Sequence, residues 1–282
     1  MRHSSMTWNR VRALIVACHP GPSATVTVVV VALSAAAGRD AWGLVLMGVA
    51  TLTGQLSIGW SNDARDAERD RKAARTGKPT VRGDVAAATL WRLAAVALMA
   101  TVIFSYLAAG PIGGSAHVVA VLSAWTYNVL LKSTVLSPLP YAVSFGLVPV
   151  FVTYGLTPPI APALWLVSAC ALLGVGAHLA NAIPDVESDL GVGAGGLVSK
   201  VGVRAAAISA LVCVVVALGL LSAHLNVTPA VAAAIVVIPA IGAVIFAVRG
   251  AGRGPGLFRY ILILAVLAVL MLLVSTRTLT GA

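Results

Sequence analysis

A series of apolar runs, each long enough to cross a lipid bilayer, constrains this chain more than any other feature. Hydrophobic residues make up 59% of the 282 positions and charged residues 10%, which is more apolar surface than a water-soluble fold can bury. A membrane-spanning helix needs about 20 mostly apolar residues. Such runs predict nine transmembrane helices, near residues 22–38, 41–60, 86–109, 113–131, 139–156, 162–182, 203–223, 227–248 and 257–276. We therefore expect an all-α integral membrane protein with a single polytopic domain over residues 1–282.

The N-terminal residues 1–21 carry three arginines ahead of the first apolar run. This arrangement resembles a signal peptide. However, the run that follows lacks an obvious cleavage context and many more spans come after it, so we interpret it as a retained helix preceded by a cytoplasmic arm. The three cysteines are isolated, in or beside apolar segments, and are expected to be packing residues rather than disulfide partners or metal ligands.

The basic residues indicate how the chain is oriented. With nine spans, every lysine and arginine except Arg39 and Arg277 falls on one side of the membrane. Cytoplasmic loops collect Lys and Arg, so the N-terminus is expected in the cytoplasm and the C-terminus outside. A composition rich in Ala, Val and Gly is typical of a GC-rich bacterium, for which the membrane would be the plasma membrane. The net charge of +10 does not indicate nucleic acid, because these basic residues do not form a solvated face with stacking aromatics.

The acidic residues are concentrated in two short segments. Seven of the nine lie within 61–70 and 181–189, and each segment contains Asn-x₃-Asp-x₃-Asp. On a helix, steps of four residues advance the direction by only about 40°, so each pattern forms one stripe. The polar residues of the two stripes are Asn62, Asp63, Asp66 and Asp70, then Asn181, Asp185 and Asp189. Both segments end apolar runs on the same side of the membrane, so they can face one another across a central cavity.

Stacked carboxylates next to hydrocarbon need cations or a water-filled cavity to neutralise them. Mg²⁺ prefers oxygen ligands and is usually held by one or two carboxylates together with substrate phosphates. The paired stripes therefore predict a site in which Mg²⁺ ions hold a diphosphate between them. For the first segment alone, a solvated charged loop beside the membrane remains the alternative.

The first stripe resembles the NDxxDxxxD motif of the UbiA superfamily of intramembrane prenyltransferases, and Asp185-x₃-Asp189 resembles the second motif, DxxxD, of that superfamily. The resemblance covers essentially the whole chain. It implies a helical membrane bundle, an isoprenoid diphosphate donor and Mg²⁺ as cofactor. It also implies that Mg²⁺ and the diphosphate lie beneath cytoplasmic cap loops, here at 61–85 and 183–202. It also implies that the metal ligands are Asn62, Asp66, Asp70, Asp185 and Asp189, supported by Asp63 and Asn181. The aspartates expected to act in catalysis are Asp66, Asp70, Asp185 and Asp189.

The resemblance also implies basic residues that contact the diphosphate, because a fixed cation stabilises the charge that develops on a departing diphosphate. The basic candidates are Lys132 as a catalytic residue, and Arg75, Lys78, Arg82 and Lys200 as substrate-binding residues. Three uncharged residues are further substrate-binding candidates: Tyr127, Asn128 and Tyr154. The alternative for the basic residues is cytoplasmic charge bias or a snorkelling lysine.

Several aromatic residues are candidate walls for an allylic cation, although interfacial Trp and Tyr also form ordinary membrane belts. These aromatic residues are Trp60, Trp125, Tyr127, Tyr141, Phe145 and Tyr154. His178 is interpreted as a packed core residue rather than a base.

Three functions remain open. The leading one is Mg²⁺-dependent transfer of a prenyl group from its diphosphate to a small or lipophilic acceptor. A terpene cyclase of the same superfamily would use the same ionisation site but capture the cation within the prenyl chain. A cation or lipid transporter is the alternative from another class, but transporter acids lie near the bilayer midplane, whereas both stripes here lie toward one basic face.

Overall fold

The described part of the protein contains helices and the turns that join them, with no strand among the described residues, as predicted. The computed structural model describes residues 2–184, 186, 191, 195–224, 228–248, 260, 263–264, 266–271 and 273. The helices are α1 Arg2–Ala17, α2 Pro20–Ala36, α3 Ala41–Lys72, α4 Pro79–Arg82, α5 Ala87–Thr126, α6 Leu139–Gly146, α7 Val148–Tyr154, α8 Leu164–Ala182, α9 Leu197–Val201, α10 Val203–Ala223 and α11 Pro229–Val248. A π-helical turn, Tyr127–Leu131, follows α5 directly.

The long helix α5 contains two of the predicted spans and folds back on itself between them. Its backbone leaves the helical region at Ala109 and Gly110, where Gly110 has a φ of 64° that favours glycine. Beyond this break, the His117 ring lies 2.7 Å from the Ser105 hydroxyl. Residues twelve apart in a straight helix would be separated by about 18 Å. The two halves of α5 therefore run side by side in opposite directions.

The expected count of nine spans is not confirmed. Within the described residues, four helical segments are long and apolar enough to cross a membrane: Ala41–Lys72, Ala87–Leu131, Leu164–Ala182 and Val203–Ala223. Ala87–Leu131 counts once here although it contains the break at Ala109 and Gly110. A fifth candidate joins Arg10–Ala17 to Pro20–Ala36 across a bend of 61°. Most of the predicted run 257–276 lies outside the described residues.

The predicted span 139–156 is divided into the short helices α6 and α7. Pro149 lies at the start of α7. Proline has no N–H to donate to the carbonyl four residues earlier, here that of Phe145, so the helix is interrupted at this point. The run is continuous in hydropathy but not in backbone structure.

The helix α3 continues well beyond its apolar run, through the first acidic segment to Lys72. Residues 61–72, which were expected to belong to a cap loop, are therefore helical. The segment contains neither Gly nor Pro, and Lys72 pairs with Glu68 one turn earlier at 2.9 Å, which favours helix. The predicted arm 1–21 is also mostly helical, since it contains α1, and the predicted loop 183–202 contains α9.

The surface of the bundle is apolar in the manner expected for contact with lipid. On the first half of α5, Val96, Met99, Ile103 and Leu107 are each more than half exposed. Their spacing places them on one helical face. An exposed stripe of this kind on a helix of high hydropathy is typical of a lipid-facing surface.

The main core packs α8 against α10 through small residues. An added Cβ on Gly176 of α8 would lie 3.0 Å from the Val214 side chain and 3.1 Å from the Ala210 carbonyl, so glycine permits close approach of the helices. A second, smaller core joins α1, α3 and α5 through Ala17, Ala64 and Leu90. This second core supports the polar end of α3.

Candidate active site

Three buried carboxylates lie at the C-terminal end of α3. Asp63, Asp66 and Asp70 are 1%, 7% and 1% exposed. They share one side of the helix because they are separated by three, four and seven residues. Burying three carboxylates together is costly unless they are paired with cations or hydrogen-bond donors. Each of the three has such partners.

Lys132 reaches Asp66 from the π-helical turn. Its ammonium forms an ion pair with Asp66 Oδ2 and lies 3.2 Å from Asn62 Oδ1. The Lys132 amide bonds the Tyr127 carbonyl at 2.9 Å, five residues earlier. A π-helical turn changes the direction in which the next side chain points relative to an α-helix, and here it accompanies the approach of Lys132 to α3.

Asn128 fixes the same turn to α3. Its side-chain amide donates to the Ile58 carbonyl and to the Ser61 hydroxyl, both at 3.0 Å. Asn128 is buried, so these bonds are shielded from water. Its amide group therefore attaches the π-helical turn to α3 just before the carboxylates, and Lys132 follows that turn.

Asp63 is contacted by a lysine and by a histidine that sequence reasoning did not identify. Lys78 Nζ lies 2.6 Å from Asp63 Oδ1, and His19 Nε2 lies 2.8 Å from the same oxygen. His19 precedes α2 and is 44 residues from Asp63. No periodic pattern or motif in the sequence connects these two residues, so only the packing of α1 and α2 on α3 brings them together.

Asp70 and Asp66 have arginine partners from the same stretch of chain. Arg75 lies 3.1 Å from Asp70 Oδ1, and its amide also bonds the Asp70 carbonyl at 3.0 Å. Arg69 lies 3.6 Å from Asp66 Oδ2. Basic residues from α3, the segment after it and the π-helical turn thus surround the carboxylates.

Two carboxylate oxygens in this cluster are available for a further ligand. Asp63 Oδ2 and Asp70 Oδ2 are buried and have no hydrogen-bond partner within the described part of the chain. Buried acceptors of this kind suit a cation, and carboxylate oxygens are the ligands that Mg²⁺ prefers. Within the described residues, no three His, Cys, Asp or Glu side chains are grouped closely enough to hold a metal ion by themselves. Asp185 and Asp189 of the second motif lie outside the described residues.

A polar cavity of about 420 Å³ opens between the end of α3 and the π-helical turn. Asp66 and Lys132 both contribute to its lining, together with Arg65, Arg69 and Asn128. The ion pair therefore borders a space that a small anion can enter. Gly196, which immediately precedes α9, packs on the Lys132 backbone. A Cβ added to Gly196 would lie 2.6 Å from the Lys132 carbonyl oxygen.

Among the described residues, three of the predicted ones form no hydrogen bond or ion pair with these carboxylates: Asn181, Lys200 and Arg82. Asn181 is exposed at the end of α8, and Lys200 is exposed on α9. Arg82 bonds Asp84 at 2.7 Å and the Gly77 carbonyl at 2.9 Å. It also lines a separate cavity of about 570 Å³ beside Arg12 of α1.

Tyr154 lies at the other end of the bundle. An added Cβ on the adjacent Gly155 would lie 2.3 Å from the Met47 side chain, which places this segment beside the beginning of α3. Met47 and Asp66 are separated by about 28 Å along the helix. Tyr154 is therefore not placed to contact a diphosphate bound by Asp66.

Apart from Tyr154, the predicted aromatic walls separate into two groups, and Phe145 belongs to the first because its ring stacks on Tyr141 with centroids 6.4 Å apart. Tyr127, Tyr141 and His178 form one cluster, with ring centroids 4.7 to 5.5 Å apart. His178 is buried and bonded to Ser137 at 3.0 Å, in agreement with its interpretation as a core residue. The other group binds neighbouring helices: Trp60 donates to the Leu14 carbonyl at 3.0 Å, and Trp125 donates to Ser57 at 2.7 Å.

Solved structures with the same fold cover almost the whole chain. A structure of digeranylgeranylglyceryl phosphate synthase superposes with a TM-score of 0.73 at 15% identity, covering 95% of this chain and 99% of that one. A UbiA homologue from Archaeoglobus fulgidus bound to DMAPP and Mg²⁺ gives 0.68 at 14% identity, with 94% and 99% covered. A UbiA homologue from Aeropyrum pernix K1 gives 0.64 at 19% identity, with 91% and 98% covered. These likenesses show the UbiA-like fold.

The family was identified by its sequence model. No curated protein sequence matches the chain. The model of the UbiA prenyltransferase family matches residues 23–256, a segment that includes both acidic motifs and most of the predicted spans. This is an integral membrane protein, and the chain belongs to the UbiA prenyltransferase family.

Proposed function

We propose that the protein is a Mg²⁺-dependent prenyltransferase that ionises an isoprenoid diphosphate and transfers the prenyl group to a small or lipophilic acceptor. The observation that carries this proposal is the group of three buried carboxylates at one end of α3, which basic side chains surround and of which Asp66 borders a polar cavity. Membership of the UbiA prenyltransferase family supports it. A structure of the same fold contains DMAPP and Mg²⁺.

The metal-binding groups in this proposal come from both acidic motifs. Asn62, Asp63, Asp66 and Asp70 would hold Mg²⁺ from α3, and Asn181, Asp185 and Asp189 would complete the site from the segment at the end of α8. When bound, Mg²⁺ neutralises the diphosphate oxygens and makes diphosphate a better leaving group. The two unpartnered oxygens of Asp63 and Asp70 are of the chemical type that such an ion requires.

The basic residues of the site would bind the diphosphate. Lys132, Lys78 and Arg75 each contact a motif aspartate, so they are close enough to turn toward an anion between the motifs. Heterolysis of the C1–O bond leaves the electron pair on the departing diphosphate, and fixed cations stabilise that charge. The resulting allylic cation is captured by an electron-rich atom of the acceptor, which then loses a proton.

The identity of the product distinguishes transfer from cyclisation, since ionisation uses the same groups in both reactions. Purified protein in detergent is supplied with geranyl, farnesyl or geranylgeranyl diphosphate, and diphosphate release is measured with and without Mg²⁺. Products are identified by mass, with and without pooled lipid-soluble acceptors. A prenylated acceptor supports the proposal, whereas a cyclic hydrocarbon formed without acceptor supports a terpene cyclase.

Variants of a single motif provide the matched control. Asp66→Ala and Asp70→Ala should abolish Mg²⁺-dependent release, whereas Glu68→Gln should retain it. Glu68 lies in the same acidic segment but is 74% exposed and pairs with Lys72. Folding of each variant is checked by size-exclusion chromatography. A folded wild-type protein that releases no diphosphate from any donor would reject both enzymatic functions and favour the transporter.

The proposed orientation in the plasma membrane follows from the same basic residues. Lys78, Arg75 and Lys132 lie at the acidic end of α3, and cytoplasmic ends of membrane helices are enriched in Lys and Arg. The motifs and the N-terminus would then face the cytoplasm and the C-terminus the outside. A C-terminal alkaline phosphatase fusion should be active, and an active C-terminal fluorescent-protein fusion with inactive phosphatase would contradict this orientation.

A further inference from the structure

The junction between α1 and α2 is seated directly on α3. Cys18 and His19 form this junction, and His19 has a left-handed backbone with a φ of 54°. An added Cβ on Gly59 of α3 would lie 2.5 Å from the Cys18 carbonyl oxygen and 2.8 Å from its Cα. Backbone atoms cannot move away as a flexible side chain can, so a glycine at position 59 is what permits this contact.

Two hydrogen bonds hold the junction in place. Trp60 donates to the Leu14 carbonyl at 3.0 Å, which ties α1 to α3. Ser23 donates to the Cys18 carbonyl at 2.7 Å, which ties the start of α2 to the junction. Gly59 and Asp63 are one helical turn apart, so seating the junction over Gly59 brings the His19 ring beside Asp63.

The His19 ring nitrogen Nε2 lies among three polar neighbours. Nε2 lies 2.8 Å from Asp63 Oδ1, 3.3 Å from Lys78 Nζ and 3.4 Å from Asn62 Nδ2. The shortest of these contacts, with Asp63, assigns the proton to Nε2, because a carboxylate only accepts hydrogen bonds. Lys78 Nζ and Asn62 Nδ2 are themselves donors, so neither is hydrogen-bonded to Nε2 in this tautomer. His19 and Lys78 therefore both donate to Asp63 Oδ1, and Asp63 Oδ2 is left without a partner among the described residues.

We propose that His19 is a positioning residue of the metal site, through which the N-terminal arm becomes part of that site. By holding Oδ1, His19 and Lys78 fix the rotamer of Asp63 and keep Oδ2 available to Mg²⁺ and diphosphate. Groups that orient a metal ligand in this way strongly affect metal affinity. This inference rests on the proposed function only in assigning Asp63 to a Mg²⁺ site.

The test uses three full-length variants. His19→Gly removes the ring but favours the left-handed backbone, so loss of the donor is separated from backbone strain. His19→Gln places an amide donor close to the position of Nε2. His224→Gln is the matched control, since His224 stacks on Trp165 with ring centroids 4.2 Å apart and has no contact with α3 in the described structure.

Two readouts are measured for each variant: binding of Mn²⁺ by electron paramagnetic resonance, and the Mg²⁺ concentration that gives half-maximal diphosphate release at saturating donor. We expect His19→Gly to weaken both by about tenfold or more, with a smaller change in the maximal rate. His19→Gln should recover most of this loss, and His224→Gln should behave as wild type. The melting temperature of every variant in detergent is recorded in parallel.

The outcomes separate the two proposals. Wild-type Mn²⁺ binding in a folded His19→Gly variant would overturn the role of His19, even if Mg²⁺-dependent release confirmed the proposed function. Weaker Mn²⁺ binding that is accompanied by a lower melting temperature and is not restored in His19→Gln would also overturn the role of His19. Such a result would indicate a purely structural role. Weakened Mn²⁺ binding, restored by Gln, in a protein that releases no diphosphate would support the role of His19 and reject the proposed function.

Discussion

Lys132 and Asp66 are 66 residues apart in the sequence and form an ion pair between the π-helical turn and the end of α3. Lys132 also contacts Asn62 at 3.2 Å, so one ammonium group bridges two positions of the first motif. Asp66 is almost fully buried, and removing one partner of a buried pair leaves the other uncompensated. The pair therefore connects the stability of this end of the bundle with the chemistry proposed for it.

Replacing Lys132 by Gln should lower the maximal rate of diphosphate release by about a hundredfold, because a fixed cation next to the leaving group is lost. Release is measured at saturating donor and Mg²⁺. Lys72→Gln is the matched control, since Lys72 is 70% exposed and pairs only with the exposed Glu68 among the described residues. Equal rates for both variants would show that Lys132 does not contact the leaving group and serves only as a counterion.

Replacing Asn128 by Ala should also reduce the rate, although Asn128 carries no charge. The change removes both bonds that fix the π-helical turn to α3, so Lys132 loses its position relative to Asp66. Misplacement of a catalytic group by about 1 Å can cost up to about a hundredfold in rate. Ser61→Ala is the control, because it removes one acceptor and leaves the bond to the Ile58 carbonyl. A wild-type rate of diphosphate release in Asn128→Ala would contradict the prediction.

Much of the site is predictable because it is local in sequence. Asn62, Asp66 and Asp70 share a stripe through helical periodicity alone, and α3 extends through all three. The division of α5 into two spans was likewise predicted from its two apolar runs, and Gly110 and Pro111 lie between those runs. Such inferences need only the geometry of one helix and the residues that interrupt it.

The rest of the site depends on which helices pack together, and periodicity does not contain that information. The contact of His19 with Asp63 requires α2 to meet α3 at Gly59, and the approach of Lys132 requires a π-helical turn that no composition signal marks. The position of Tyr154 depends on the depth of α7 in the bundle. The count of nine spans was drawn from hydropathy alone, which does not detect the break that Pro149 makes in the backbone.

Replacing Gly59 by Ala should disturb both stability and metal binding. The new methyl group would meet the Cys18 backbone at 2.5 Å, so the α1–α2 junction must move away from α3. Overpacking of this kind costs about 1 to 3 kcal/mol and would withdraw His19 from Asp63. Thermal unfolding in detergent and Mn²⁺ binding are the measurements. Gly21→Ala is the control, since nothing lies within 4 Å of its added Cβ. Unchanged melting and binding in Gly59→Ala would contradict the seating of the junction.

The hairpin within α5 provides a test of the fold that is independent of the active site. Ser105 lies 2.7 Å from His117 Nδ1, and the His117 ring stacks on Phe151 with centroids 4.2 Å apart. Ser105→Ala leaves a buried ring nitrogen without its partner, which should lower the free energy of unfolding by about 1 kcal/mol.

Adding His117→Phe to Ser105→Ala should recover part of that loss, because the second change removes the unpaired nitrogen and retains a ring to stack on Phe151. Unfolding is followed by denaturant titration in detergent for both single variants and the double variant. A recovery in the double variant means that the two sites are coupled across the turn at Gly110, as the antiparallel arrangement requires. Strictly additive losses would mean that Ser105 and His117 do not interact and that the two halves of α5 are arranged differently.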